Sequence, residues 1–248
     1  MGKVYSYLES IKLRNKAGYF VLIDPDKKNE AKLESLVENA NQIGADAILV
    51  GGSLMMDSRF KDRAKRIKTL SKVPVILFPG SVSQLSPHFD AVLFLSIISS
   101  RNPTYLIGEQ VIGAPIIKDL DLEPLPTGYM LFEGGGHSSV EFMSNSRPLP
   151  LNRPEIAVAH ALAGQYLGMK LLYLEAGSGA SRTVPKEIIS AIARNCDIPI
   201  IVGGGITDPE TAIEKVKAGA SFIVTGTASE SADSANIMHS FAEAIHSV

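Results

Sequence analysis

LLYLEAGSGAS, residues Leu171–Ser181, begins as an apolar run that reads as a buried β-strand and passes directly into a turn of glycine and serine. The succession recurs twice downstream, where PIIV (Pro199–Val202) leads into GGGI (Gly203–Ile206) and FIV (Phe222–Val224) leads into TGTAS (Thr225–Ser229). Toward the N-terminus, apolar runs at Tyr19–Ile23, Ala47–Val50, Val75–Phe78, Ala91–Leu95 and Gly128–Phe132 bring the number of candidate strands to eight. Their near-continuous Val/Ile/Leu character suits parallel strands covered on both faces. Eight strand–helix units in 248 residues predict one (β/α)8 TIM-barrel domain spanning 1–248. An open doubly wound sheet has the same alternation, since alternation alone does not show closure.

The intervening helices announce themselves by their ends. Residues 29–43 carry Leu33, Leu36, Val37, Ala40 and Ile43 at helical spacing and stop at Gly44. Pro154 opens a helix closed by Gly168, Pro185 opens one through Arg194, and Asp208-Pro209 opens one that ends before Gly219. In the third unit SVSQLSPH (Ser81–His88) is too short for a covering helix, so an irregular segment is expected. Residues 134–153 read as the longest unstructured stretch, of the kind that serves as a lid.

Composition narrows the function. With 45% hydrophobic residues and 24 Lys+Arg against 26 Asp+Glu, the chain has no net basic field to hold nucleic acid. One cysteine, Cys196, excludes an internal disulfide framework and any multi-cysteine metal centre, as in a cytoplasmic protein. No apolar run reaches the roughly 18 residues of a membrane span.

In a (β/α)8 barrel the residues after each strand gather at one face. Three glycine-rich strand ends in consecutive units, each preceding a helix, let backbone N–H groups converge on one anion, and phosphate fits best. Tight-turn glycines without a ligand are the alternative. IDPDK (Ile23–Lys27) places Asp24 at a strand end and LVGGS places Ser53 at the next. One carboxylate with one hydroxyl suits Mg2+, which keeps water and phosphate oxygens as ligands; a capping aspartate with a turn serine is equally compatible. Glu175, at the end of the sixth strand beside the glycine loops, is positioned as a general base, or as a carboxylate paired with Lys or Arg. His137 lies in the long loop, where it could meet a ligand.

Several stretches together resemble the geranylgeranylglyceryl phosphate synthase family: IDPD (Ile23–Asp26), GGS (Gly51–Ser53), RNP (Arg101–Pro103), PEIAVAHALAGQYLGMKLLYLEAGSGAS (Pro154–Ser181), VGGGI (Val202–Ile206) and TGTASE (Thr225–Glu230). The match spans most of the chain, and is closer to the family's second group than to the related heptaprenylglyceryl phosphate synthases. The resemblance implies a modified TIM barrel with an irregular third helix segment. It also implies a Mg2+-dependent prenyltransferase joining the 3-hydroxyl of sn-glycerol 1-phosphate to geranylgeranyl diphosphate, in ether phospholipid biosynthesis.

By the same resemblance, glycerol phosphate is held by Tyr173, Leu174, Glu175, Ala176, Gly177, Ser178 and Gly179, with Gly204, Gly205, Gly226 and Thr227. Asp24 and Ser53 match the magnesium positions and Glu175 the base. A homo-oligomer, dimer or hexamer, and transient membrane contact are implied as well. FEGGGHSSVEF departs from the family pattern, carrying glycine and histidine where a proline-containing turn is common. Arg101, Arg147 and Lys118 are the cations available for diphosphate, and Phe94, Leu95, Ile98 and Tyr105 lie where an apolar groove could run. Two further readings are a phosphate-binding barrel acting as isomerase or aldolase, and a barrel that binds without turnover. The former needs a catalytic lysine or second acid, and Asp24 is the other well-placed acid.

Overall fold

The computed structural model describes residues 2–15, 17–226 and 234–248. A helix, α1 (Lys3–Asn15), precedes β1 (Gly18–Ile23), and a 3-10 segment (Lys27–Lys32) leads into α2 (Leu33–Gln42). Then follow β2 (Ala47–Val50), α3 (Phe60–Leu70), β3 (Val75–Leu77), a 3-10 turn (Val82–Gln84) and β4 (Ala91–Ile97). A π-helical turn (Thr104–Gly108) enters α4 (Glu109–Asp119), before β5 (Glu123–Leu131), α5 (Ser139–Ser144), α6 (Pro154–Tyr166) and β6 (Leu171–Glu175). The chain continues through α7 (Lys186–Ala193), β7 (Ile200–Gly203), α8 (Pro209–Lys217), β8 (Phe222–Thr225) and α9 (Ser234–His246).

The eight parallel strands pair in sequence order, and β8 returns to β1 in the register Gly18↔Phe222 to Val21↔Thr225. That pairing closes the barrel and removes the open-sheet alternative. Strand alternation sorts the side chains into two apolar bodies. Phe20, Leu49, Ile76, Leu93, Leu171 and Ile201 fill the lumen, whereas Val21, Ile48, Val50, Leu172 and Leu174 face the helices. The same parity puts Tyr173 and Glu175 on the lumen side of β6.

The third unit is irregular as expected: between β3 and β4 only the short 3-10 turn covers the barrel, capped where Glu109 Oε2 accepts from the Val82 N–H at 3.1 Å. Two features depart from the sequence reading. Residues 134–153 are not wholly unstructured, because Ser138 accepts from the Glu141 N–H at 3.2 Å and starts α5. The N-terminal segment, assigned no element, forms α1 and plugs the lumen with Val4, Tyr5, Leu8 and Ile11. Its Val4 and Tyr5 N–H groups donate to the two Glu123 carboxylate oxygens, each at 2.8 Å. Glu123 opens β5, so the plug closes the N-terminal end of the barrel and leaves the other end open.

Candidate active site

A cavity of about 570 Å³ occupies the C-terminal mouth. Its polar end is built from the strand ends read as glycine loops. Tyr173, Glu175, Gly177, Ser178, Gly179, Gly204, Gly205 and Gly226 all line it. Leu174 and Ala176 do not: strand parity sends their side chains into the outer apolar body, so only their backbone can serve a ligand. Thr227 lies outside the described residues.

Glycine is obligatory at Gly204. With φ at +83°, a Cβ there would sit 2.4 Å from Glu175 Oε1 and 2.8 Å from the Gly177 nitrogen. Backbone and carboxylate are thereby brought closer than any side chain allows. Gly177, at φ +103°, turns its N–H onto Glu175 Oε1 at 2.6 Å, so that amide orients the carboxylate.

Glu175 is 7% exposed. Burial pushes its pKa up to about 7, against the opposing pull of the Gly177 N–H and the neighbouring Tyr173 hydroxyl. The Tyr173 Oη steadies that charge without completing a hydrogen bond of ordinary geometry, and it is buried with no other partner among the described residues. Burial, and then the Glu175 charge, hold Tyr173 and Tyr129 well above the ordinary phenol range, so both stay neutral. Tyr173 stacks on Phe78, at 4.8 Å between ring centroids, and on Tyr129, at 5.5 Å, and those two rings lie 6.2 Å from each other. Phe78, Tyr129 and Tyr173 all line the cavity.

The apolar part of the cavity is a groove lined by Val82, Leu85, Phe94, Leu95, Tyr105, Gly113 and Ile117. It exists because no helix of ordinary length covers the third unit. Ile98 does not belong to it, since that side chain packs outside the barrel near Gly128 and Gly164.

Asp24 and Ser53 line the neighbouring part of the rim, at the ends of β1, which pairs with β8, and of β2. Asp24 Oδ2 pairs with Lys28 Nζ at 3.4 Å. Lys28 is the cationic residue the sequence reading missed; it sits four residues after Asp24 in a helical turn, the spacing that was its available signal. Among the described residues it is the one lysine or arginine lining the cavity. Arg101 instead donates to Ser100 O at 2.9 Å and meets His160, while Arg147 and Lys118 are exposed and outside the cavity. The His137 side chain, 95% exposed, turns to Glu141 at 3.2 Å, and it is Ser138 and Ser139 beside it that reach the cavity. No cluster of three or more His, Cys, Asp or Glu suited to a metal occurs among the described residues.

Fold and site define a (β/α)8-barrel protein in which one cavity is lined by glycine-rich strand ends, a buried carboxylate and apolar side chains. The PcrB family model matches residues 10–245, and the chain belongs to that family. Geranylgeranylglyceryl phosphate synthase of Thermococcus kodakarensis is 46% identical over 235 residues, covering 94% of this chain and 92% of that protein. The enzyme of the same name from Chitinophaga pinensis is 42% identical over 244 residues, covering 98% and 96%. Among solved structures, (S)-3-O-geranylgeranylglyceryl phosphate synthase from Thermoplasma acidophilum, in complex with its substrate sn-glycerol-1-phosphate, superposes with a TM-score of 0.92. It is 36% identical, and the whole of both chains is covered. The family resemblance carried by the motifs is therefore borne out over nearly the whole chain.

Proposed function

We propose that this chain forms the ether bond between the 3-hydroxyl of sn-glycerol 1-phosphate and C1 of geranylgeranyl diphosphate, releasing diphosphate. One observation carries the reading: a single cavity joins the glycine cradle and Glu175 to an apolar groove. A phosphorylated alcohol and a hydrocarbon chain need that combination, with the reacting carboxylate at the junction. The names of relatives 46% and 42% identical support it.

The strand-end backbone and Ser178 hold the glycerol phosphate, placing its 3-hydroxyl toward Glu175. As the hydroxyl oxygen bonds to C1, the C1–oxygen bond to diphosphate breaks and its electron pair leaves with the diphosphate. The hydroxyl proton passes to Glu175, whose elevated pKa makes it a competent acceptor near neutral pH. Tyr173, kept neutral, is available as a hydrogen-bond donor to an oxygen in the pocket. Ser138 and Val140, at and just inside the start of α5, line the same cavity, where they would shield the reacting atoms from water.

The donor set at the ends of β1 and β2 fits Mg2+, because one carboxylate and one hydroxyl leave most of the coordination to water and phosphate oxygens. Asp24 and Ser53 would hold it, and it would neutralise charge developing on the departing diphosphate. Lys28 adds a positive charge on the same rim. Exposed apolar side chains on α4 (Val111, Ile112) and at the end of α6 (Tyr166, Leu167) support a homo-oligomer, dimer or hexamer, or transient contact with the membrane that holds the lipid substrate. No helix among the described residues is long and apolar enough to cross a membrane. The single cysteine, Cys196, suits a cytoplasmic location.

The test is product formation from radiolabelled sn-glycerol 1-phosphate with Mg2+ and prenyl diphosphates of increasing length, with sn-glycerol 3-phosphate as control. A C20 ether made only from the 1-phosphate is expected, and activity should vanish with a chelator. Preference for a much longer chain would make the activity that of a heptaprenylglyceryl phosphate synthase. Absence of any organic-soluble product would return an isomerase or aldolase to consideration.

A further inference from the structure

The loops carrying Asp24 and Ser53 start from strand ends joined where the Gly51 N–H donates to Ile23 O at 3.3 Å, and farther along they are restrained from outside the barrel. Arg63, on α3, is 2% exposed. Its Nη1 and Nη2 donate to the two carboxylate oxygens of Asp57, each at 2.8 Å. Nη1 also donates to Pro25 O at 3.2 Å, and Nε donates to Glu30. Pro25 directly follows Asp24 and Glu30 lies in the 3-10 segment beyond it, whereas Asp57 is four residues past Ser53. One planar guanidinium therefore fastens both loops at once. Arg63, Pro25, Glu30 and Asp57 all lie outside the cavity lining, so the side chain can act only through what it holds.

We infer that Arg63 is a positioning residue that sets Asp24 and Ser53 against each other so that the rim can receive a diphosphate with its divalent cation. The inference rests on the proposed assignment of Asp24 and Ser53 to the diphosphate end. Neighbouring contacts restrain each loop singly: Asn29 Nδ2 donates to Asp24 O at 2.9 Å, and Gln84 Nε2 donates to Gly52 O at 2.9 Å. Neither spans the two loops as Arg63 does. The fork geometry is essential, because a lysine keeps the charge but cannot meet a bidentate carboxylate, a carbonyl and a second carboxylate in one plane. The Asp57 carboxyl is held down to about 2, chiefly by its hydrogen bonds from Arg63, so the clamp stays charged over the whole working range.

The test compares wild type with Arg63→Lys and, separately, Asp57→Asn by calorimetric titration with two probes, inorganic diphosphate in the presence of Mg2+, and sn-glycerol 1-phosphate. Thermal melting confirms that each variant is folded, and Asp57→Asn carries the test should Arg63→Lys not fold. Diphosphate affinity should fall tenfold or more in each variant, while affinity for sn-glycerol 1-phosphate stays within twofold of wild type. The double variant should be no worse than Arg63→Lys alone, since both substitutions open the same clamp. Unchanged diphosphate affinity would overturn the role, and so would an equal loss for both probes, which a merely structural residue would produce. Failure of the wild type itself to bind diphosphate would instead overturn the assignment of the rim.

Discussion

At the ends of β6, β7 and β8 the chain offers a ligand mostly its backbone; at the ends of β1 and β2 it offers side chains. The first region is made by leaving atoms out. Gly204 admits Glu175 and the Gly177 nitrogen to distances that any Cβ would block. The second is made by holding atoms in place, with Asp24 and Ser53 on loops tied from behind by Arg63, Asn29 and Gln84. A backbone site is broken by adding a methyl group and a side-chain site by removing a functional group, so the two should fail differently and each should spare the other's ligand.

Glu175 stands between them and its loss should cost most. Glu175→Gln should lower kcat by about 10²- to 10⁴-fold, the range of a general base, with the KM for sn-glycerol 1-phosphate little changed. In the wild type, kcat/KM should rise with pH and level off above about 7. Stability should move oppositely. The folded pKa of about 7 exceeds the ordinary 4.5, so between these values the native state holds a proton that the unfolded state has released. Stability therefore falls as pH rises through that window, by up to about 3 kcal/mol. Denaturation at pH 8 should find Glu175→Gln more stable than wild type, and at pH 4 the two should converge. Equal stability at both values would mean that the buried carboxylate is not strained by its surroundings.

Next in size is the backbone site. Gly204→Ala places a methyl group against Glu175 and forces an alanine into the left-handed region. Affinity for sn-glycerol 1-phosphate should drop on the order of 100-fold, equivalent to about 3 kcal/mol, with diphosphate binding intact. Smaller is the effect at the other part of the rim. Asp24→Asn should weaken Mg2+-dependent diphosphate binding on the order of 10- to 100-fold, as expected for losing a charged ligand, and should leave the glycerol phosphate site untouched. Parallel loss of both ligands in either variant would erase the distinction between the two regions.

The same distinction explains what could be read from the sequence. All eight strands were legible, because each shows a short apolar run ending in polar or glycine residues; the glycine cradle was legible because its glycines are contiguous with those ends. The irregular third unit was visible in SVSQLSPH, which lacks the length and periodicity of a covering helix. Side-chain arrangements crossing from one unit to another were not. Val4, Leu8 and Ile11 have helical spacing, but that they plug the lumen depends on Glu123, more than a hundred residues away in sequence. Arg63 looks like any other basic residue in FKDRAKRIKTL until the fold buries it between two loops. Of the available cations, Arg101, Arg147 and Lys118 lie outside the cavity and Lys28 lines it, a difference invisible in the sequence because proximity to a cavity is a property of the closed barrel. At Leu174 the family motif was carried over whole, although strand alternation alone separates it from Tyr173 and Glu175.

The apolar groove offers the smallest and most selective perturbation. It owes its opening to the missing helix of the third unit and to Gly113, whose Cβ position faces Val82 Cγ1 at 3.5 Å and Leu85 Cδ1 at 3.7 Å across ordinary contact distance. The helix would tolerate a valine there, since Gly113 has no positive φ to lose. The added methyl groups would project beyond that contact and compete with a bound chain for the space between α4 and the 3-10 turn. Overpacking of this size costs typically 1–3 kcal/mol, and a cost toward the lower end of that range is about tenfold in affinity. Gly113→Val should therefore reduce kcat/KM for a C20 diphosphate about tenfold while leaving a C10 diphosphate and sn-glycerol 1-phosphate nearly unaffected. A uniform loss across chain lengths would place the hydrocarbon elsewhere. A loss confined to long chains would extend the two-region picture to a third, in which a segment too short to form a helix leaves room for the substrate's tail.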